Sequence, residues 1–150
     1  LNITKVGDCA CAYASILVAV DIPEGITSIG DGSFWSCSSL KEIKFPKSLT
    51  SVGKGSFSFC SSLEEVDLLH TNVRALGNYA FAYCTSLREM KVPDSLQTLN
   101  GQVFYDCSAL VPSDIDVNDV NAVIAYLRSL QPLKTAKKKK ARKIPNLKNA

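Results

Sequence analysis

The chain has 150 residues, 46% hydrophobic and 21% charged, a balance that suits one domain with a continuous core and excludes an intrinsically disordered chain. No apolar run approaches the ~18 residues needed to span a membrane. The net charge of +3 hides an asymmetry: residues 132–150 hold eight basic residues and no acid, while the remainder holds 9 basic and 14 acidic ones and is −5. Regions of opposite sign are expected to meet different partners, or each other.

The chain repeats. Cys37, Cys60, Cys84 and Cys107 are spaced by 23, 24 and 23 residues. Three residues before each stands Phe34, Phe57, Phe81 or Phe104, and three after each stands Leu40, Leu63, Leu87 or Leu110. Eight before each is Ile29, Val52, Leu76 or Leu99; eleven before each is Ile26, Leu49, Val73 or Leu96. Columns agreeing at one period are the mark of a solenoid, whose units cannot bury their apolar faces alone.

In chain order, the first rung is 3–25, where Cys11 takes the Phe column and Ala14 the Cys column. With no capping segment before residue 3, this rung is expected to follow further sequence or to dock on a partner. The second rung, 26–48, reads clearly: Ile43 and Phe45 alternate with Glu42 and Lys44, the period of a short strand that Pro46 ends. Its stretch from Ser33 to Cys37 places apolar residues for a short helical turn. The third rung, 49–72, carries Leu69-His70-Thr71-Asn72 in place of the proline, with one residue inserted. The fourth, 73–95, regains its proline at Pro93. The fifth, 96–118, decays after Leu110 at Pro112.

Residues 119–131 follow as a helix. Val120, Val123, Ile124, Leu127 and Leu130 share one face, Asp116, Asn118 or Asp119 is placed to cap the start, and Pro132 ends it. A solenoid exposes the core of its last rung, so this helix is expected to cover it. Residues 132–150 form a separate basic tail.

The pattern Ile-x-x-Ile-Gly-x-x-x-Phe-x-x-Cys-x-x-Leu-x-x-Ile-x-Phe-Pro, from Ile26 to Pro46, resembles the BspA-type leucine-rich repeat, and it recurs over residues 3–118. The resemblance implies an α/β repeat solenoid with short parallel strands, about five rungs and a C-terminal capping helix. It also implies adhesion or protein–protein contact in place of catalysis.

Candidate chemistry is sparse. In-phase cysteines in a stack ~4.8 Å apart per rung point into one interior, so four buried reduced thiols are expected, and their unpaired state favours a reducing intracellular compartment. Their spacing lacks the short pairs of a structural zinc site. Cys9 and Cys11 are the likelier pair for redox or metal chemistry, although no cofactor or metal is expected. His70, the only histidine, lies in the irregular third turn with no nucleophile motif around it. Asn2-Ile3-Thr4 matches a glycosylation sequon, a common triplet.

Two outward rows run across the strands. One is Asp21, Lys44, Asp67, Lys91 and Asp114, whose alternating signs allow neighbours to pair at ~0.2–1 kcal/mol each. The other is Ala19, Glu42, Glu65 and Glu89, three like charges that the fold does not need. The expected function is a non-enzymatic interaction module, an accessory or structural subunit. It would bind a protein partner through a concave strand face bearing Glu42, Lys44, Glu65, Asp67, Glu89 and Lys91. Lys137, Lys138, Lys139, Lys140, Arg142 and Lys143 of the tail would add a contact to a partner or a polyanion. Two alternatives stand beside it: a nucleic-acid-associated protein, ribosomal or chromatin accessory, anchored by the tail, and a cell-surface adhesin fragment.

Overall fold

The structure, a computed structural model, describes residues 3–131. Among the described residues nine short strands and one helix follow in order. β1 (Lys5–Val6), β3 (Ser28–Ile29), β5 (Ser51–Val52), β7 (Ala75–Leu76) and β9 (Thr98–Leu99) make one parallel sheet in that order. β2 (Ala19–Asp21) pairs with β4 (Glu42–Lys44), and β6 (Glu65–Asp67) with β8 (Glu89–Lys91), both in parallel. The registers are Ala19 with Glu42, Ile29 with Val52, and Glu65 with Glu89, so each residue lies beside its equivalent one repeat away. The result is a parallel-strand solenoid, and its five-stranded sheet gives one strand to each rung.

The columns become the core. Phe34, Phe57, Phe81 and Phe104 are buried and stacked, with ring centroids 5.1, 5.2 and 6.1 Å apart. Leu40, Leu63 and Leu87 are fully enclosed beside them. Each buried aromatic side chain contributes several kcal/mol, about 3–5 by the cost of truncating it to alanine.

The segment around Ser33 to Cys37 is not a helical turn, and hydrogen bonding explains why. Alternate N–H groups leave the rung: Gly32, Phe34 and Ser36 donate to the carbonyls of Lys54, Ser56 and Ser58, each at 2.8 Å. The N–H groups between them, of Ser33, Trp35 and Cys37, close tight turns onto the Gly30, Gly32 and Phe34 carbonyls, in that order, within the rung. A helix would require every N–H to turn back along the segment. The alternation instead drives residues into the left-handed region, among them Ser36 (φ 57°), Phe59 (φ 61°) and Tyr83 (φ 60°).

The residue inserted in the third rung is absorbed locally. Thr71 is buried, its hydroxyl donating to the Leu68 carbonyl at 2.7 Å, while the Asn72 side chain donates to the Lys47 carbonyl at 3.1 Å. The helix α1 (Val120–Ser129) closes the far end. Asp119 caps it, its carboxylate accepting the Ala122 N–H at 3.0 Å. Val123, Ile124 and Leu127 are buried, whereas Leu130 is largely exposed. Arg128 donates to the Leu96 carbonyl at 3.2 Å, and Gln131 accepts the Val92 N–H at 2.8 Å, fastening the helix to the last rungs.

Candidate functional site

On the strand face, β-pleating sends Ile43, Val66 and Met90 inward and their flanking residues outward. Glu42, Lys44, Glu65 and Asp67 are exposed; Glu89 and Lys91 are half-buried. Parallel register places Glu65 against Glu89 and Asp67 against Lys91, as Asp21 stands against Lys44. Among the described residues no ion pair joins Asp21 to Lys44 or Asp67 to Lys91. Asp67 instead accepts the N–H of Leu69 at 2.9 Å, and Lys91 reaches Glu89 at 4.0 Å. Asp114 lies on no strand, because the fifth rung turns away at Pro112. The expected row of alternating cross-strand pairs is therefore absent.

The acidic row is tempered by a residue that the periodic reading passed over. The Arg88 guanidinium reaches Glu64 and Glu65, both at 3.3 Å. Its signal was present, since Arg88 stands one repeat of 24 residues after Glu64. Between β4 and β6, which no ladder joins, lies a cleft of about 450 Å³ bordered by Lys41, Glu42, Lys44, Glu64, Glu65 and Asp67. The strand face is thus a charged surface of mixed sign with an acidic excess. The tail residues Lys137, Lys138, Lys139, Lys140, Arg142 and Lys143 lie outside the described residues.

The cysteine column is structural. Cys37, Cys60, Cys84 and Cys107 are buried as free thiols. Each Sγ–H donates to a carbonyl of the preceding rung: Cys37 to Cys11 at 3.1 Å, Cys60 to Phe34 at 3.2 Å, Cys84 to Phe57 at 3.1 Å and Cys107 to Phe81 at 2.8 Å. Burial pushes the Cys60 thiol up to about 12, and the hydrogen bond with Cys107 together with burial pushes Cys84 well up. Thiols so held are poor nucleophiles. Cys9 is exposed and Cys11 half-buried; among the described residues no group of three or more His, Cys, Asp or Glu side chains is placed to hold a metal. His70 is exposed in its turn.

A second surface was not foreseen. On the turn side, Trp35, Phe59, Tyr83 and Tyr105 form a file with ring centroids 5.4, 4.3 and 5.3 Å apart. They escaped the column analysis because Trp35 and Tyr105 stand two residues before the cysteine, Phe59 and Tyr83 one. The file borders a groove of about 750 Å³ floored by Gly32 and Gly55 and rimmed by Asp8, Asp31 and Lys54. Phe59 is 40% exposed, but one of its faces is covered by Tyr83, stacked on it at 4.3 Å.

The family described as BspA type leucine rich repeat region matches residues 2–124 in six copies. A leucine rich repeat protein of T. pallidum has a similar structure, with a TM-score of 0.70 and 27% identity over 73% of this chain and 50% of that one. A leucine-rich repeat protein from Bacteroides ovatus is similar at a TM-score of 0.57 and 26% identity, over 72% of this chain and 34% of the other. The chain therefore spans half or less of the proteins it resembles in structure. No curated protein matches it. Among the described residues, no helix is long and apolar enough to cross a membrane.

Proposed function

The chain belongs to the BspA-type leucine-rich repeat family, and from that premise we propose that it is a non-enzymatic module that binds a protein partner within a larger assembly. Recognition runs through the strand face, with Glu42, Lys44, Glu65, Asp67, Glu89 and Lys91 as contacts, and the basic tail at Lys137, Lys138, Lys139, Lys140, Arg142 and Lys143 adds a second contact. The observation that carries this reading is the registered pair Glu65 and Glu89. Like charges held side by side oppose the fold slightly; Arg88 meets Glu65 at 3.3 Å and Lys91 reaches Glu89 only at 4.0 Å, and a partner with basic groups would relieve what remains. The rigid stack presents them at fixed spacing, which lowers the ordering cost of binding.

The test is co-purification of the chain with its natural partners in three forms: native, Glu42→Lys with Glu65→Lys and Glu89→Lys, and lacking residues 132–150. Proteins retained by the truncated form and lost by the charge-reversed one support the reading. Loss of those partners only with the tail, with nucleic acid binding that falls steeply as salt rises, would replace it with the nucleic-acid reading.

A further inference from the structure

On the strand face the stack is open at one boundary. Between β2 and β4, the Lys41 and Glu42 N–H groups bond the Val18 carbonyl, and the Ile22 N–H bonds that of Lys44. Between β6 and β8, the Arg88 and Glu89 N–H groups bond the Glu64 carbonyl, and the Leu68 N–H bonds that of Lys91. Between β4 and β6 the equivalent bonds are missing: among the described residues no backbone N–H reaches the Lys41 carbonyl, and the Phe45 N–H reaches no backbone carbonyl. The bulkiest residue of its column stands here, Phe45 where the other rungs carry Ile22, Leu68 and Val92, with its ring edge-on to Phe57 at 5.8 Å. The β3–β5 ladder across the same boundary is intact. The gap therefore belongs to the strand face alone, where it forms the cleft of about 450 Å³. Backbone groups left unpaired along a strand are a template for another segment of chain.

Charge and chain path name the segment. The cleft carries Glu42, Glu64, Glu65 and Asp67 against Lys41 and Lys44, an acidic excess within a body of −5. Residues 132–150 hold eight basic residues and no acid. They leave from the margin of this same face, because the Gln131 side chain accepts the N–H of Val92, the residue directly after β8, at 2.8 Å. The cleft lies within two rung spacings of β8, ~4.8 Å each. Six extended residues, from Gln131 to Lys137, span up to about 20 Å. Carboxylates nearer the last rung compete less well, since Asp116 already accepts the Asn118 N–H and Asp119 that of Ala122.

We propose that the cleft between β4 and β6 is the docking site of this chain's own basic tail, with Lys137, Lys138, Lys139 and Lys140 set against Glu42, Glu65 and Asp67. The proposal deepens the strand-face reading and rests on it for the surface. Exposed ion pairs are weak one by one, but a short tether holds the tail at an effective concentration on the order of millimolar. A basic partner then has to displace the tail to reach the carboxylates, and the displaced tail is free to make the second contact. The cis contact thus sets a threshold on partner binding.

The experiment treats the full chain, dilute and at low salt, with a carbodiimide, which joins an ammonium to a carboxylate only where the two touch, and maps the links by mass spectrometry. An equal mixture of light and heavy-isotope chain separates links within one molecule from links between two. Links within one molecule from Lys137, Lys138, Lys139 or Lys140 to Glu42, Glu65 or Asp67 are expected, and they should disappear at high salt. Glu42→Gln with Glu65→Gln and Asp67→Asn, all exposed positions, should keep the circular dichroism spectrum. In that form, tail links to Glu64, which shares the cleft, should fall as well. Links spread evenly over exposed Asp106, Asp114 and Asp116 would mean a tail with no seat and overturn the proposal, as would links found only between molecules or none from the tail. The readout needs no partner. Absence of the links therefore sinks the cis contact alone, whereas partners retained by the charge-reversed form sink the strand-face reading.

Discussion

The Sγ–H of Cys60 donates to the carbonyl of Phe34 at 3.2 Å, across a rung boundary, and that same carbonyl accepts the N–H of Cys37 at 3.2 Å. The cysteine column is thereby tied to the phenylalanine column of the rung before it. Cys84 repeats the link to Phe57, and Cys107 repeats it to Phe81. A small thiol fits where a larger side chain would push adjacent rungs apart, and it satisfies a carbonyl lone pair as it does so.

Cys60→Ala removes that bond and leaves a small void. It should lower unfolding stability by about 1–2 kcal/mol, measured by urea denaturation. The Phe34 carbonyl keeps its bond from Cys37, so a larger loss would mean that the thiol does more than pack and donate.

The raised Cys60 thiol gives a pH dependence with a definite sign. The folded chain disfavours the thiolate, while the unfolded chain ionises it near 9.0. Stability from this group is complete below pH 9.0 and is lost as pH rises towards about 12. Denaturation midpoints measured from pH 8 to pH 10 should fall at the upper end, and Cys60→Ala should flatten part of that fall. At neutral pH a thiol reagent should modify exposed Cys9 well before Cys60.

Phe57 stacks on Phe34 and Phe81 at 5.1 and 5.2 Å and is fully buried. Phe57→Ala should cost about 3–5 kcal/mol. Because the stack is contiguous, thermal unfolding should shift for the whole domain and not split into two transitions.

Arg88 lies between Glu64 and Glu65 on an exposed surface. Arg88→Gln should change stability by less than about 1 kcal/mol. It should nevertheless strengthen binding of a basic partner at low salt, since two carboxylates lose their internal counter-charge. Equal partner affinity for the native and Arg88→Gln forms, measured by calorimetry, would separate the acidic row from recognition.

Asp119→Ala removes the carboxylate that accepts the Ala122 N–H. The expected loss is about 1 kcal/mol, seen as a lower melting temperature, with hydrogen exchange rising first in α1 because that helix closes the end of the stack.

Much of this protein was legible as sequence, for one physical reason: parallel stacking lays each residue on its equivalent one repeat away. The Phe, Leu and Cys columns, the inward set Ile43, Val66 and Met90, and the helix face of Val123, Ile124 and Leu127 all follow from that translation and from the period of strand or helix. The tertiary structure alone decided what breaks the translation. The turn segment reads as a helix by its apolar spacing, but its N–H groups are divided between rungs. Trp35 and Phe59 stand at different offsets from their cysteines, yet their rings meet at 5.4 Å because the indole lies across Gly55, which has no side chain in its way. Asp67 turned to the Leu69 N–H and not to Lys91, since an exposed ion pair gains little over a nearby backbone donor. Columns report what stacks directly; side chains that lean across a column, and charges that choose among several partners, are settled only when all the rungs are in place.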